Sequence, residues 1–339
     1  ENVGTYSFNG AIMGNGAEGI IHDPSHENPD YSFEKADGTL MVKAEGAGID
    51  PKSAKLLWQD VEGLITQVAF NNNRVEFITS GSQGFGNAVI AVYDNVDPNA
   101  NDAKVLWSWH IWCAPRPSDR YIHSESGGTI YTFMDRNIGA VSDTGGDNSY
   151  GLYYQWGRKD PFKKPGAPLF NVLGMKVSAL HELKQVSLSE GIQNPLSFFS
   201  KGTDMRTAWS PFSPYRWENS SRTVDKSIYD PCPYGYRVPF NNVFYNLRKD
   251  YYLTENCHME DTGVYFSVIQ SGRELFFPMT GVIDFDYSFV YDNEVQYWTA
   301  SPMTTTSLTF WWYNGKWIDF YDNDMGTARG LPIRCVRED

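Results

Sequence analysis

The sequence predicts an α+β chain: an all-β, sandwich-like domain over residues 1–113, followed by a mixed domain with long loops over residues 114–339. Three observations predict it. Short β-rich segments separated by Asn, Gly and Asp clusters run from Thr5 to Cys113 at ~8–12-residue spacing, the pattern of a sandwich. Pro115 and Pro117, two residues apart, cannot both sit in a central strand and so mark a boundary. Beyond them, Phe240–Tyr251 is the one segment of clear helical period.

In chain order, the first half offers strands at Thr39–Ala44, Ala54–Trp58, Leu64–Phe70, Arg74–Thr79, Ala88–Tyr93 and Val105–Trp112. From Asn194-Pro195 through Pro211, Pro214 and Asp230-Pro231-Cys232-Pro233, repeated prolines predict ordered loop, and long loops on a small scaffold commonly carry binding. The helix follows Pro239, with Phe240, Val243, Phe244, Leu247 and Tyr251 on one face. Near the end, two β-rich runs flank Asn314-Gly315, the strongest signal for a two-residue type I′ hairpin. That turn sets Trp312 opposite Trp317, Trp311 opposite Ile318 and Phe310 opposite Asp319. Trp312, Trp317, Phe310 and Asp319 then share one face.

Composition narrows the function. The 339 residues suffice for about two domains with cores of their own. A net charge of −13 opposes binding to a phosphate backbone, which excludes nucleic acid as an expected partner. Apolar runs such as Ala88–Tyr93 fall far short of the roughly 20 residues of a membrane helix, so no membrane span is expected. The first residues have neither a basic start nor an apolar core, and any secretion leader is expected to have been removed. Aromatic residues reach 15%, enough to line surfaces as well as fill a core.

Five separated blocks carry a resemblance: Tyr131–Ala140, Gly151–Phe162, Asp230–Pro239, Tyr297–Ser301 and Gly330–Arg337. Their order and spacing resemble the FISUMP-type (major paralogous) domain of Bacteroides-type surface and fimbrial proteins, over roughly Val105–Arg337. The resemblance implies a C-type-lectin-like fold for residues 114–339, shared with formylglycine-generating enzymes. It implies a cell-surface or outer-membrane-associated adhesin, a fimbrial tip or lipid-anchored protein, binding a glycan or a host or bacterial surface protein, with pilus subunits as further partners. It also brings the Cys232 and Cys335 blocks together at the base of the fold and so implies a disulfide between them. Two alternatives stay open: an enzyme of the formylglycine-generating kind, and a structural pilus subunit whose edge strands accept a partner's strand.

Catalytic signals are sparse. The formylglycine-type chemistry needs two reactive cysteines near the C-terminus, where only Cys335 stands. No H-E-x-x-H or G-x-S-x-G motif occurs, and a non-enzymatic role is expected. Acidic loops at Asp143/Asp147, Asp284/Asp286 and Asp319–Asp324 carry oxygen ligands of the kind calcium takes, but none fits a calcium-loop motif, so no cofactor or metal is expected. The favoured binding site is the hairpin: Trp312 and Trp317 as an apolar platform for a sugar ring or a partner's side chains, with Asp319, Asp322 and Asn323 accepting hydroxyl hydrogen bonds at its edge. Trp209, Tyr215 and Trp217 in the proline-rich loop are lesser candidates.

Overall fold

The computed structural model describes residues 4–14, 33–41, 47–123, 130–202, 207–211, 216–217, 226–244, 257–267, 274–290, 294–302, 307–313, 317–319 and 326–338, with backbone alone at 123, 241–242, 257, 302, 307–313 and 317–319. The chain is mostly β, built from several small sheets. Among the described residues no helix is long and apolar enough to cross a membrane.

The first sheet is made of β1 (Gly4–Asn9), β3 (Ile65–Asn71) and β4 (Arg74–Thr79), with β4 central. Asn72 and Asn73 close the β3–β4 hairpin with φ of 49° and 62°, the left-handed region that asparagine tolerates better than most residues. The second sheet centres on β5 (Gly86–Tyr93), flanked by β2 (Ser53–Gln59) and β6 (Val105–Cys113). Every residue of β5 is buried, as a central strand covered on both faces requires. Each Val or Ile so buried contributes roughly 1.5–3 kcal/mol. The two sheets meet across a common core in which Phe8 of β1 stands edge-on to Trp109 of β6 at 4.9 Å.

The second sheet does not stop at residue 113. Beyond β7 (Asp119–His123), β8 (Ile130–Met134), α1 (Asp147–Tyr150) and β9 (Tyr154–Gln155), the chain returns as β10 (Leu169–Phe170) and β11 (Lys176–Val177), giving the order β11-β10-β2-β5-β6. One buried cluster runs from Met13 to Cys335. A sheet and a buried cluster thus both cross the expected 113/114 boundary, and β6 ends two residues before Pro115. A smaller cluster holds Phe133, Phe244, Val264, Phe277 and Tyr297.

The remaining helices are short. α2 (Leu188–Gln193) is capped by the Ser187 side chain, which accepts from the Glu190 N–H, and α3 (Asn241–Phe244) is the described part of the predicted helix. Residues 245–251 of that prediction lie outside the described residues, as do 42–44 of the predicted Thr39–Ala44 strand.

Candidate functional site

β6 is the outer strand of its sheet: among the described residues it pairs only with β5. Along its outer edge runs a cleft of about 480 Å³, lined on the strand side by Ser108 to Trp112 and on the far side by Ile228, Asp230, Pro231, Pro233, Tyr234 and Tyr236. A volume of this size suits a small ligand or a short segment of chain. Its two walls come from opposite sides of the 113/114 position, 120 residues apart in sequence from Ser108 to Ile228.

The strand wall presents three polar groups. Trp109 is 6% exposed, and its indole N–H is buried with no hydrogen-bond partner. His110 directs Nε2 at Asn87 Oδ1, 2.9 Å away, and Asn87 Nδ2 donates to Asp60 Oδ2 at 2.8 Å. An amide oxygen only accepts, so Nε2 carries the proton and Nδ1 is the ring's acceptor. Burial pulls His110 down to about 4, so the imidazole is neutral near pH 7. Below lies a buried charge cluster. Ser108 Oγ donates to Asp160 Oδ1 at 2.6 Å, Lys159 Nζ reaches Ser108 Oγ and Asp160 Oδ1 at 2.5 Å each, and Arg158 Nε lies 3.4 Å from Asp160 Oδ2. Two cations share one carboxylate, so the floor holds a positive excess, spread partly over the Trp107 ring, whose centre is 4.5 Å from Nζ. Burial lowers the Lys159 ammonium from its ordinary value, against the attraction of Asp160.

The opposite wall is tied down by local chemistry. Lys226 Nζ donates to the carbonyls of Cys232, Pro233 and Tyr236 and stands 3.5 Å from Asp230. Asp230 in turn accepts from the N–H groups of Cys232 and Val238, both at 2.8 Å. Burial pushes Asp230 up and Lys226 down, yet the three carbonyls need donors and the two N–H groups need an acceptor, so the geometry is that of the ionised pair. Cys232 is joined by a disulfide to Cys335, 103 residues on. At the rim Tyr234 is 66% exposed, while the Tyr236 hydroxyl donates to Asp119 at 2.5 Å and is pushed up to about 12 by burial and that carboxylate.

The sequence-predicted hairpin has a different register. Tyr313 pairs with Trp317, Trp312 with Ile318 and Trp311 with Asp319. Three residues, 314–316, connect the strands in place of the expected two, and by the period of two this moves Trp312 and Trp317 to opposite faces. Trp317 shares its face with Asp319, Trp311 and Tyr313. The side chains of Trp312, Trp317 and Asp319, and all of Asp322 and Asn323, lie outside the described residues. Of the lesser candidates, Trp209 and Trp217 are buried, donating to the carbonyls of Trp156 at 2.8 Å and Arg158 at 3.3 Å, and Tyr215 lies outside the described residues. Among the acidic loops, Asp284 is held by Arg329 at 2.7 Å and Asp143 lies 3.4 Å from Arg120. Cys335 is bridged, so it presents no free thiol. Burial pushes the free Cys113 up to about 11, which keeps it protonated near neutral pH.

The cleft itself carries no local motif. Its one legible trace is Val105–Trp112, where Ser108 and His110 interleave with three tryptophans on an otherwise apolar strand. Comparison with known proteins finds no family model, no curated protein and no solved structure that matches the chain.

Proposed function

We propose that this chain is a non-catalytic binding protein of the cell-surface adhesin kind, which holds a glycan or a segment of a surface protein in the cleft beside β6. The observation that carries the reading is Trp109: it lines a cleft walled by aromatic rings and prolines, and its buried indole N–H has no hydrogen-bond partner. An unmade buried hydrogen bond costs about 1–3 kcal/mol, which a ligand acceptor would recover. The positive excess at Lys159 favours the same ligand class, one rich in carbonyl or hydroxyl oxygens. Ser108, Lys159 and Asp160 already satisfy one another, which suits a rigid floor better than a nucleophile awaiting its base.

The resemblance to FISUMP-type domains and the disulfide both support a surface location, since such bridges persist in oxidising compartments. Within this reading the hairpin is a separate contact, with Trp317 and Asp319 on one face and Trp312 on the other. A glycan and matrix-protein array tests the assignment. Trp109→Phe, which removes the N–H and keeps an apolar ring in the core, is expected to weaken capture by about 10-fold with the fold retained, and Trp317→Ala to weaken it by less. Capture unchanged in Trp109→Phe removes the cleft as the site.

A second reading, a pilus subunit that accepts a partner's strand, is favoured by the open edge of β6. It predicts that the bound partner protects from hydrogen exchange the β6 amides that face away from β5, a protection a glycan would not give.

A further inference from the structure

At the opposite edge of the five-stranded sheet from β6, beside β10 and β11, lies a second concavity of about 370 Å³. Its walls include Lys163, Lys164, Lys176, Leu169, Pro195 and Tyr287. The chain as a whole carries −13, yet no Asp or Glu is among the described residues that line this pocket. Asp60, outside the pocket, holds Lys163 at 3.0 Å. Lys164 and Lys176 are exposed and have no carboxylate partner among the described residues; the Lys164 ammonium lies 3.9 Å from the centre of the Phe289 ring. Both lysines line the same small recess with no carboxylate on them among the described residues, so an anion bound there would meet two cations.

A second observation marks the same recess. Tyr287 has φ of 62°, a left-handed conformation costly for a bulky side chain. The turn holds it there through Tyr287 N–H to Asp284 O at 3.0 Å and Asp284 N–H to Ser288 O at 2.9 Å, while its ring lies 5.2 Å from that of Phe198 and 5.8 Å from that of His181. Strain of this sort persists where surroundings over-determine a side chain's position, and here it fixes an aromatic wall beside the lysines.

We propose that this pocket binds an anionic saccharide, a sugar ring bearing a carboxylate or a sulfate. Lys164 and Lys176 pair with the charged group, and Leu169, Pro195 and Tyr287 meet the C–H face of the ring. The site is independent of the cleft beside β6.

Isothermal titration of the full chain tests it, with glucuronic acid and galactose 6-sulfate as probes, glucose and galactose as neutral counterparts, and inorganic sulfate alone. At least one anionic sugar is expected to bind about 10-fold or more tighter than its neutral counterpart. Lys164→Gln and Lys176→Gln, both surface changes that leave the fold intact, should each weaken it by about 10-fold, with Lys55→Gln as an unaffected control. Trp109→Phe, which weakens the β6 site and keeps a ring in the core, should leave this binding unchanged. Equal affinity for charged and neutral sugars, sulfate alone binding as tightly as the sulfated sugar, indifference to both lysine variants, or no heat at tens of millimolar ligand would each overturn the proposal.

Discussion

Along one wall of the cleft, Ser108 and its neighbours on β6 rest on Arg158, Lys159 and Asp160; along the other, Tyr234 and Tyr236 rest on Lys226, Asp230 and the Cys232–Cys335 bridge. The first support is three consecutive residues, reached by Ser108 from 52 positions earlier in the chain, and carries two cations to one anion. The second joins groups four residues apart, one cation to one anion, and adds backbone carbonyls, N–H groups and a covalent bond. The lesson is one of failure modes. A support with a single shared carboxylate collapses when that group is removed, whereas a support of many local contacts loosens by degrees.

Removing the shared carboxylate should therefore have the largest effect. Asp160→Asn leaves the buried Lys159 without its carboxylate and Arg158 with only the attraction of Glu182, and a loss of about 3–5 kcal/mol of unfolding free energy is expected in urea titration. A loss under ~1 kcal/mol would show that the first wall is not organised by this residue. Next, Cys232→Ser with Cys335→Ser opens a loop of 103 residues; about 2–5 kcal/mol of stability should go, the chain-entropy value being near the top of that range. Cleft binding should weaken too, because the loop wall is tied at Cys232, and ligand affinity that survives the double variant would break the comparison.

The smallest effect belongs to pH. His110 titrates near 4 in the fold against 6.5 ordinarily, so between those values the unfolded chain binds the extra proton. Stability should fall as pH drops from about 6.5 to about 4, by about 2 kcal/mol from this residue after allowing for its partial exposure. His110→Gln, which keeps a donor toward Asn87, should flatten that part of the stability curve. An unaltered curve would assign the acid sensitivity to the carboxylates instead.

How far the sequence reading went can be traced residue by residue. Arg74–Thr79 is a strand at the predicted bounds, and Ala54–Trp58, Ala88–Tyr93 and Val105–Trp112 lie within observed strands one or two residues longer at one or both ends. Alternation and turn residues are local signals, and they suffice for such elements. The Asn314-Gly315 signal located a hairpin but not its register, because Tyr313 pairs with Trp317 where the dipeptide alone favours Lys316. That one sheet crosses the 113/114 position was not legible, since β10 pairs with β2 through the single pair Phe170 and Gln59, a contact with no trace in local sequence. The Cys232–Cys335 pairing came only through the family resemblance. No motif nominated the cleft, whose walls meet only after the chain has passed through three further sheets.

The bridge also decides where a pull would be felt. Tension applied at Val336–Arg337 reaches Cys335 first and passes through sulfur to Cys232, bypassing everything between. Some 103 residues, about 360 Å of fully extended chain, are thereby shielded from unravelling. The load falls instead on the short loop that forms one side of the cleft, so grip and strain would share the same few residues.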